Sequence, residues 1–238
     1  MKDHSDDRHD AESTILRALA RNDYCEDDAW WRSARSALSV KLRFLGTDAR
    51  WAGSDVLHLQ CESGLISDGL LRRGCQVTAV DTRPDMVEAA RLRSAAHGYR
   101  IDYRHVDRLR NLPFADGRFD IVVCDHVFDR GDRLDLLLEE IGRVLRRDGT
   151  LMVACLAAGP LNRIRRLFAP RRWAPGLPRQ MGKVAPLQPS RLRRQLVKRG
   201  FTPVRQAGLA PRGLPLFCHG WKTVPSPRAV WLCTAMRD

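Results

Sequence analysis

The chain has 238 residues, 44% of them hydrophobic, which is enough for one domain with a full apolar core. No stretch reaches the roughly 18 uncharged apolar residues that a membrane-spanning helix requires, and the acidic start lacks the profile of a signal peptide. We therefore expect a cytoplasmic protein. The 7 cysteines are scattered and form no CxxC pattern, which favours neither a disulfide framework nor a zinc site.

The net charge of +13 is concentrated near the carboxyl end of the sequence. Residues 159–238 carry 17 Lys and Arg against a single acid, Asp238, and hold 11 of the 13 prolines. Because proline interrupts regular structure, this third of the chain is expected to form short elements with a cationic surface. Two interpretations stay open: a solvated basic surface, or a surface that faces an anionic partner.

In chain order, residues 1–13 are predicted to be a disordered acidic tail, and 14–50 to form capping helices. A cofactor-binding core over 51–157 then alternates strands with helices. The predicted strands are 55–59, 76–81, 101–106, 119–125 and 151–156, and the predicted helices are 64–73, 84–97 and 134–147. Such alternation predicts a doubly wound, mostly parallel α/β sheet of the Rossmann-like type, with right-handed crossovers.

The remainder is predicted to complete the same single domain, which would extend over 14–238. We expect a basic, proline-rich lid or insertion over 158–190 and a closing part over 191–238. The closing elements are a helix over 189–199 and strands over 202–208 and 229–235, which bring the predicted sheet to seven strands.

A ligand of such a sheet binds outside the carboxyl ends of the strands, where the strand order reverses. Asp81 stands directly after the second predicted strand. An acid in this place can accept hydrogen bonds from both hydroxyls of a ribose. The alternative role for Asp81 is that of an ordinary helix N-cap.

Four segments in a fixed order resemble class I S-adenosylmethionine (SAM) methyltransferases over residues 50–157. They are VLHLQCESG at 56–64, VTAVD at 77–81, LPFADGRFDIVVC at 112–124 and LRRDGTL at 145–151. A narrower resemblance, through Trp30-Trp31, Cys124 and the ending from Gly208 to Thr234, is to the ubiquinone-biosynthesis O-methyltransferases, which methylate polyprenyl catechols and hydroxyphenols. The resemblance implies SAM as cofactor and a phenolic or catecholic hydroxyl on a small apolar molecule as acceptor.

The resemblance also implies roles for individual residues. Asp81 would hold the ribose, Asp107 would lie near the adenine amine, Asp125 would contact the cofactor through its backbone, and Lys41 would face the SAM carboxylate. The complete set of implied cofactor-binding residues is Lys41, His58, Gln60, Gly64, Asp81, Thr82, Asp107 and Asp125.

The first loop departs from the family pattern of an acid followed by a glycine-rich turn. His58 stands in place of the acid, and Gln60, Glu62 and Ser63 stand in place of glycines, leaving Gly64. Glycines there permit left-handed backbone angles and a close approach to the ligand, so side chains reduce the room. Glu62 also adds a negative charge near the expected SAM carboxylate.

After the fourth strand, the narrower family is expected to hold a divalent metal with acids and a histidine. Here His126, Asp129 and Arg130 stand in those places, and an arginine argues against a magnesium site. We therefore predict no metal. His126 is the candidate general base, because an imidazole has a suitable pKa, and a purely structural histidine is the alternative.

Two other functions are alternatives to methyl transfer to a small molecule. The substituted loop favours a methyltransferase fold that has been repurposed as another enzyme or as a binding subunit. A nucleic-acid methyltransferase would suit the charge, but base-modifying relatives carry Asn/Asp-Pro-Pro-aromatic where this chain has Cys124-Asp-His-Val127, so no specific nucleic acid is predicted.

Apolar residues and arginines alternate over 160–194, which is typical of an amphipathic segment. This pattern predicts a contact with an anionic membrane surface, with the protein peripheral at the inner face of the membrane. A lid helix packed on the core, with a solvated basic face, is the alternative.

Overall fold

A single sheet with helices on both faces organises the chain. The computed structural model describes residues 43–44, 51–125, 127, 133–156, 188–211, 221–224 and 230–238. The strands are β1 (Asp55–Leu59), β2 (Gln76–Asp81), β3 (Asp102–His105), β4 (Phe119–Asp125), β5 (Leu145–Leu156), β6 (Phe201–Pro211), β7 (Trp221–Val224) and β8 (Val230–Arg237). The helices are α1 (Leu65–Leu71), α2 (Pro84–Ala96), α3 (Leu134–Val144) and α4 (Pro189–Lys198).

The sheet has eight strands in the order β3-β2-β1-β4-β5-β8-β6-β7. The first five in this order run parallel, and β8, β6 and β7 add antiparallel pairs. This arrangement confirms the predicted doubly wound, mostly parallel fold. The short β7, at the edge beside β6, is one strand more than the sequence predicts.

The two faces of the sheet carry separate apolar clusters. Along β1, Val56 belongs to the cluster under α1 and α2, whereas Leu57 and Leu59 belong to the cluster under α3 and α4. All three side chains are completely buried. Burial on both faces explains why the central strands are continuous apolar runs rather than alternating ones.

Local signals set several element boundaries. Pro84 stands in the first turn of α2, and Gly98, just beyond its end, has a φ of 67°. Helix α3 ends at Val144, earlier than predicted, because Leu145 has extended backbone and pairs with Phe119. The register then shifts before Ile121 pairs with Thr150, so β5 begins earlier than predicted.

Several predicted segments lie outside the described residues. These include the acidic tail, most of the capping helices and most of the basic segment 158–190. Phe44 is described and is buried in the cluster under α1 and α2. Within the described ranges, no helix has the length and apolar character needed to cross a membrane.

Candidate functional site

The carboxyl ends of three adjacent strands lie at one level of the sheet. Leu59, the last residue of β1, pairs with Val80 on one side and with Cys124 on the other. The next residues along these strands are Gln60, Asp81 and Asp125. Because β2 lies on one side of β1 and β4 on the other, the strand order reverses here. This is the place where an open α/β sheet binds its ligands.

The loop between β1 and α1 has the backbone of a glycine-rich turn although three of its glycine positions are substituted, and two of the substituted residues have left-handed backbone. Gln60 has a φ of 55°, Glu62 of 49° and Gly64 of 82°. A left-handed conformation costs a residue with a side chain roughly 1–2 kcal/mol, so Gln60 and Glu62 need compensating contacts. One such contact is main-chain: Cys61 N–H donates to the carbonyl of Val80 at 3.0 Å.

Asp81 provides the other compensating contacts, and it is 1% exposed. Its Oδ1 accepts hydrogen bonds from Gln60 Nε2 at 3.0 Å and from the Arg83 N–H at 2.9 Å. Its Oδ2 accepts one from the Glu62 N–H at 2.9 Å. Gln60 Nε2 also donates to Thr82 Oγ1 at 3.3 Å. The carboxylate therefore joins the loop to the start of α2.

A buried polar network supports the loop from below. Arg93 of α2 donates from Nε to the Ser63 carbonyl at 3.0 Å and forms an ion pair with Asp68 of α1, both side chains being 5% exposed. Ser94 donates to Tyr103 Oη at 3.1 Å. Burial lowers the pKa of Arg93 and raises that of Tyr103. The loop thus rests on α1, α2 and β3 at the same time.

The other predicted site residues differ in their burial and their position. His58 is 1% exposed and lies 2.8 Å, through Nδ1, from Ser67 Oγ, so it belongs to the core and offers no surface to a ligand. Asp107 is exposed beyond the end of β3, and Thr82 is half-buried beside Asp81. Lys41 and His126 lie outside the described residues.

The structure changes the interpretation of Gln60 most. The sequence groups it with the residues that bind a cofactor, but its side chain is 4% exposed and turned towards Asp81. The sequence carries a signal for this contact: a long polar side chain replaces glycine beside the end of a strand. The supporting roles of Arg93 and Tyr103 were missed, and each follows from contacts between residues distant in sequence.

The surroundings of the two cysteines of the site disfavour the thiolate form that a nucleophile requires. Cys61 and Cys124 are buried, and burial raises the pKa of each thiol far above its usual range, with the nearby Asp81 and Asp125 charges adding to the effect. Across the described part of the chain, no three His, Cys, Asp or Glu side chains come together in a way that could hold a metal ion.

Comparison with known families gives a match to the methyltransferase domain over residues 57–153. A ubiquinone biosynthesis O-methyltransferase of Xanthomonas euvesicatoria is 31% identical over 153 residues, which are 64% of this chain and 63% of the relative. The protein of the same name from Xanthomonas axonopodis is 30% identical over the same lengths. The match therefore spans less than two thirds of these relatives.

Solved structures share the fold at lower identity. A SAM-dependent methyltransferase from Thermotoga maritima, described as a possible histamine N-methyltransferase, aligns over 94% of this chain and 98% of its own, with a TM-score of 0.65 and 17% identity. Magnesium protoporphyrin IX methyltransferase from Synechocystis, solved with S-adenosylhomocysteine (SAH), aligns over 85% of this chain and 82% of its own, with a TM-score of 0.63 and 16% identity.

Proposed function

We propose that this chain, which matches the methyltransferase domain over residues 57–153, is a class I SAM-dependent methyltransferase and transfers a methyl group from SAM to a hydroxyl of a small apolar phenolic or catecholic molecule. The observation that carries the proposal is the left-handed backbone at Gln60, Glu62 and Gly64, directly beside the carboxylate of Asp81. The acceptor class is supported by the Xanthomonas relatives, which are named as ubiquinone biosynthesis O-methyltransferases.

The donor and acceptor chemistry of the site fits SAM. A ribose presents two hydroxyl donors, and Asp81 already accepts a hydrogen bond from a side-chain donor, Gln60 Nε2, at the strand end where a ribose would bind. Asp81 would hold the ribose once the Gln60 amide turns away. Asp125, at the same level on β4, and Asp107, beyond β3, would flank the remainder of the adenosyl group.

SAM, when bound, supplies a methyl group that is already activated for transfer. The contribution of the protein is then to align the acceptor hydroxyl and to exclude water, because alignment alone can supply much of the rate. The buried network under the loop keeps the main chain of residues 60–64 in place for this purpose. No metal is needed for this proposal.

We propose His126 as the base that takes the proton of the acceptor hydroxyl, because it follows Asp125 at the end of β4. His126→Ala should lower turnover without weakening the binding of SAH. His126→Gln is a matched control for the lost hydrogen-bonding capacity. If turnover is unchanged in both variants, His126 has no part in the reaction.

A second function is favoured by the contact between Gln60 and Asp81. A methyltransferase fold whose ribose acceptor is occupied by its own side chain could serve as a repurposed enzyme or binding subunit. Calorimetry with SAM and SAH, followed by methyl transfer to simple catechols, separates the two functions. Heat of binding and a methylated product support the methyltransferase, whereas the absence of both at millimolar ligand favours the repurposed fold.

We also propose that residues 160–194 contact an anionic membrane surface. In the described part of this segment, Arg191, Arg193 and Arg194 of α4 are exposed, while Leu192 is buried against the core. Basic residues near such a surface contribute on the order of 1 kcal/mol each. Sedimentation with phosphatidylserine vesicles at low salt tests this proposal. Binding that survives the change of Arg165, Arg166, Arg171 and Arg172 to Glu would contradict it.

A further inference from the structure

We propose that the Gln60 side chain is an internal competitor for Asp81 and that it lowers the affinity of the site for ligands that present a ribose. The inference rests on the proposed SAM site and adds to it a residue that sets the affinity. Its basis is an amide side chain, at a position where the resembling family has glycine, that bonds to the acid which a ribose would need.

The hydrogen-bond donors around Asp81 differ in how readily they can move away from it. Its carboxylate is almost completely buried, so an incoming hydroxyl must displace a donor that is already present. Two of the three described donors are main-chain N–H groups, of Glu62 and Arg83, which the loop and the start of α2 hold in place. The third is the Gln60 amide, which can turn away by side-chain rotation alone. Gln60 is therefore the group that a ribose displaces.

The backbone of Gln60 supports the same conclusion. Its φ of 55° is a conformation that side chains rarely adopt, and such strain persists where the surroundings fix it. The hydrogen bonds to Asp81 Oδ1 and Thr82 Oγ1 are the contacts that fix the side chain. An amide held by both groups keeps the unliganded arrangement dominant, and the apparent affinity for a ribose falls with the population of the open arrangement.

The test compares ligand binding by the wild type, Gln60→Ala and Gln60→Gly, using calorimetry with SAH and with adenosine. We expect both variants to bind these ligands at least about tenfold more tightly, equivalent to about 1.4 kcal/mol, because the competing hydrogen bond is absent. Gln76→Ala is the matched control: it removes an exposed glutamine at the opposite end of β2 and should leave affinity unchanged. Circular dichroism establishes that each variant is folded.

Two further measurements make the result specific. Binding of 2′,3′-dideoxyadenosine, which lacks the ribose hydroxyls, should gain nothing in either variant. Glu62→Gly, which removes a negative charge from the loop but keeps Gln60, should not reproduce the gain with adenosine, which lacks the carboxylate that Glu62 would repel. Equal tightening of the dideoxy ligand, an equal gain in adenosine binding from Glu62→Gly alone, or no tightening in folded Gln60→Ala each overturns the inference.

These outcomes are distinct from failure of the proposed function. If Gln60→Ala gains affinity but neither protein methylates a catechol, the proposed role of Gln60 is supported and the proposed methyltransferase activity is contradicted. If the wild type binds SAH and methylates a catechol while Gln60→Ala binds no more tightly, the activity is supported and the role of Gln60 is contradicted. If no protein binds at millimolar SAH, both are wrong.

Discussion

Replacing Gly64 by alanine tests whether the loop between β1 and α1 is fixed by the strand behind it. Gly64 has a φ of 82°, and an added Cβ would overlap the hydroxyl of Tyr103 and lie 3.1 Å from Tyr103 Cζ and 3.2 Å from Ala90 Cβ. The left-handed backbone alone costs alanine roughly 1–2 kcal/mol. Displacing the Tyr103 hydroxyl would also break its buried hydrogen bond with Ser94, which costs about 1–3 kcal/mol.

We therefore expect Gly64→Ala to lower the free energy of unfolding by roughly 2–5 kcal/mol, measured by urea denaturation followed by circular dichroism. Gly98→Ala is the matched control. Gly98 also has a positive φ, 67°, but no atom lies within 4 Å of its added Cβ. That variant should lose only the backbone term of roughly 1–2 kcal/mol.

A double-mutant cycle with Tyr103→Phe measures how much of the cost involves the Tyr103 hydroxyl. Without the hydroxyl, the new methyl group has no such overlap and no Ser94 hydrogen bond to break, while the ring carbon at 3.1 Å remains. Gly64→Ala should therefore cost at least about 1 kcal/mol less in the Tyr103→Phe background than in the wild type. Equal costs for Gly64→Ala and Gly98→Ala, together with no coupling to Tyr103, would refute the idea that β3 fixes the loop.

Two other predictions concern ion pairs. Arg143 hydrogen-bonds to Glu140 and lowers its pKa, so the stability from this carboxylate is present above the unfolded pKa near 4.5 and is lost as the pH falls through the folded pKa. In urea denaturation, the free energy of unfolding of Glu140→Gln should be about 1 kcal/mol below that of the wild type at neutral pH, and this difference should vanish in acid. A difference that does not change with pH would contradict the linkage. Arg93→Met leaves the buried Asp68 without its arginine partner and should lower the free energy of unfolding by about 3–5 kcal/mol. The double variant Arg93→Met/Asp68→Leu should recover much of this loss. Urea midpoints that show no recovery would contradict the prediction.

The sequence predicted the parallel part of the fold well because burial leaves a strong pattern in it. The residues of β4 form a continuous apolar run, and Phe119–Asp125 is the strand both predicted and observed. The end of α3 was predicted too late because Leu145 continues the apolar spacing of the helix. Its pairing with Phe119 is a contact across the chain, which helical periodicity does not encode.

The sequence predicted which strand ends bring the candidate residues together, but not the contacts that their side chains make. The position of Asp81 follows from the order of strands alone, since the acid stands at the end of β2 beside β1. The direction of the Gln60 side chain depends on a left-handed φ, and the sequence gives no reason to expect that angle for a glutamine. His58 was likewise placed by alignment with an acid, whereas its burial and its bond to Ser67 come from packing of α1 on the sheet.

Three contacts with other parts of the protein hold the loop over residues 60–64. Gln60 bonds to Asp81, the carbonyl of Ser63 accepts from Arg93, and Gly64 packs against Tyr103. Two of these three contacts, those of Ser63 and Gly64, involve main-chain atoms and would persist if a ribose were bound. In the proposed SAM site, the contact of Gln60 is the one that uses the surface a ribose would need. If the proposal is correct, tighter adenosyl binding requires a change of this side chain and no change of the backbone path.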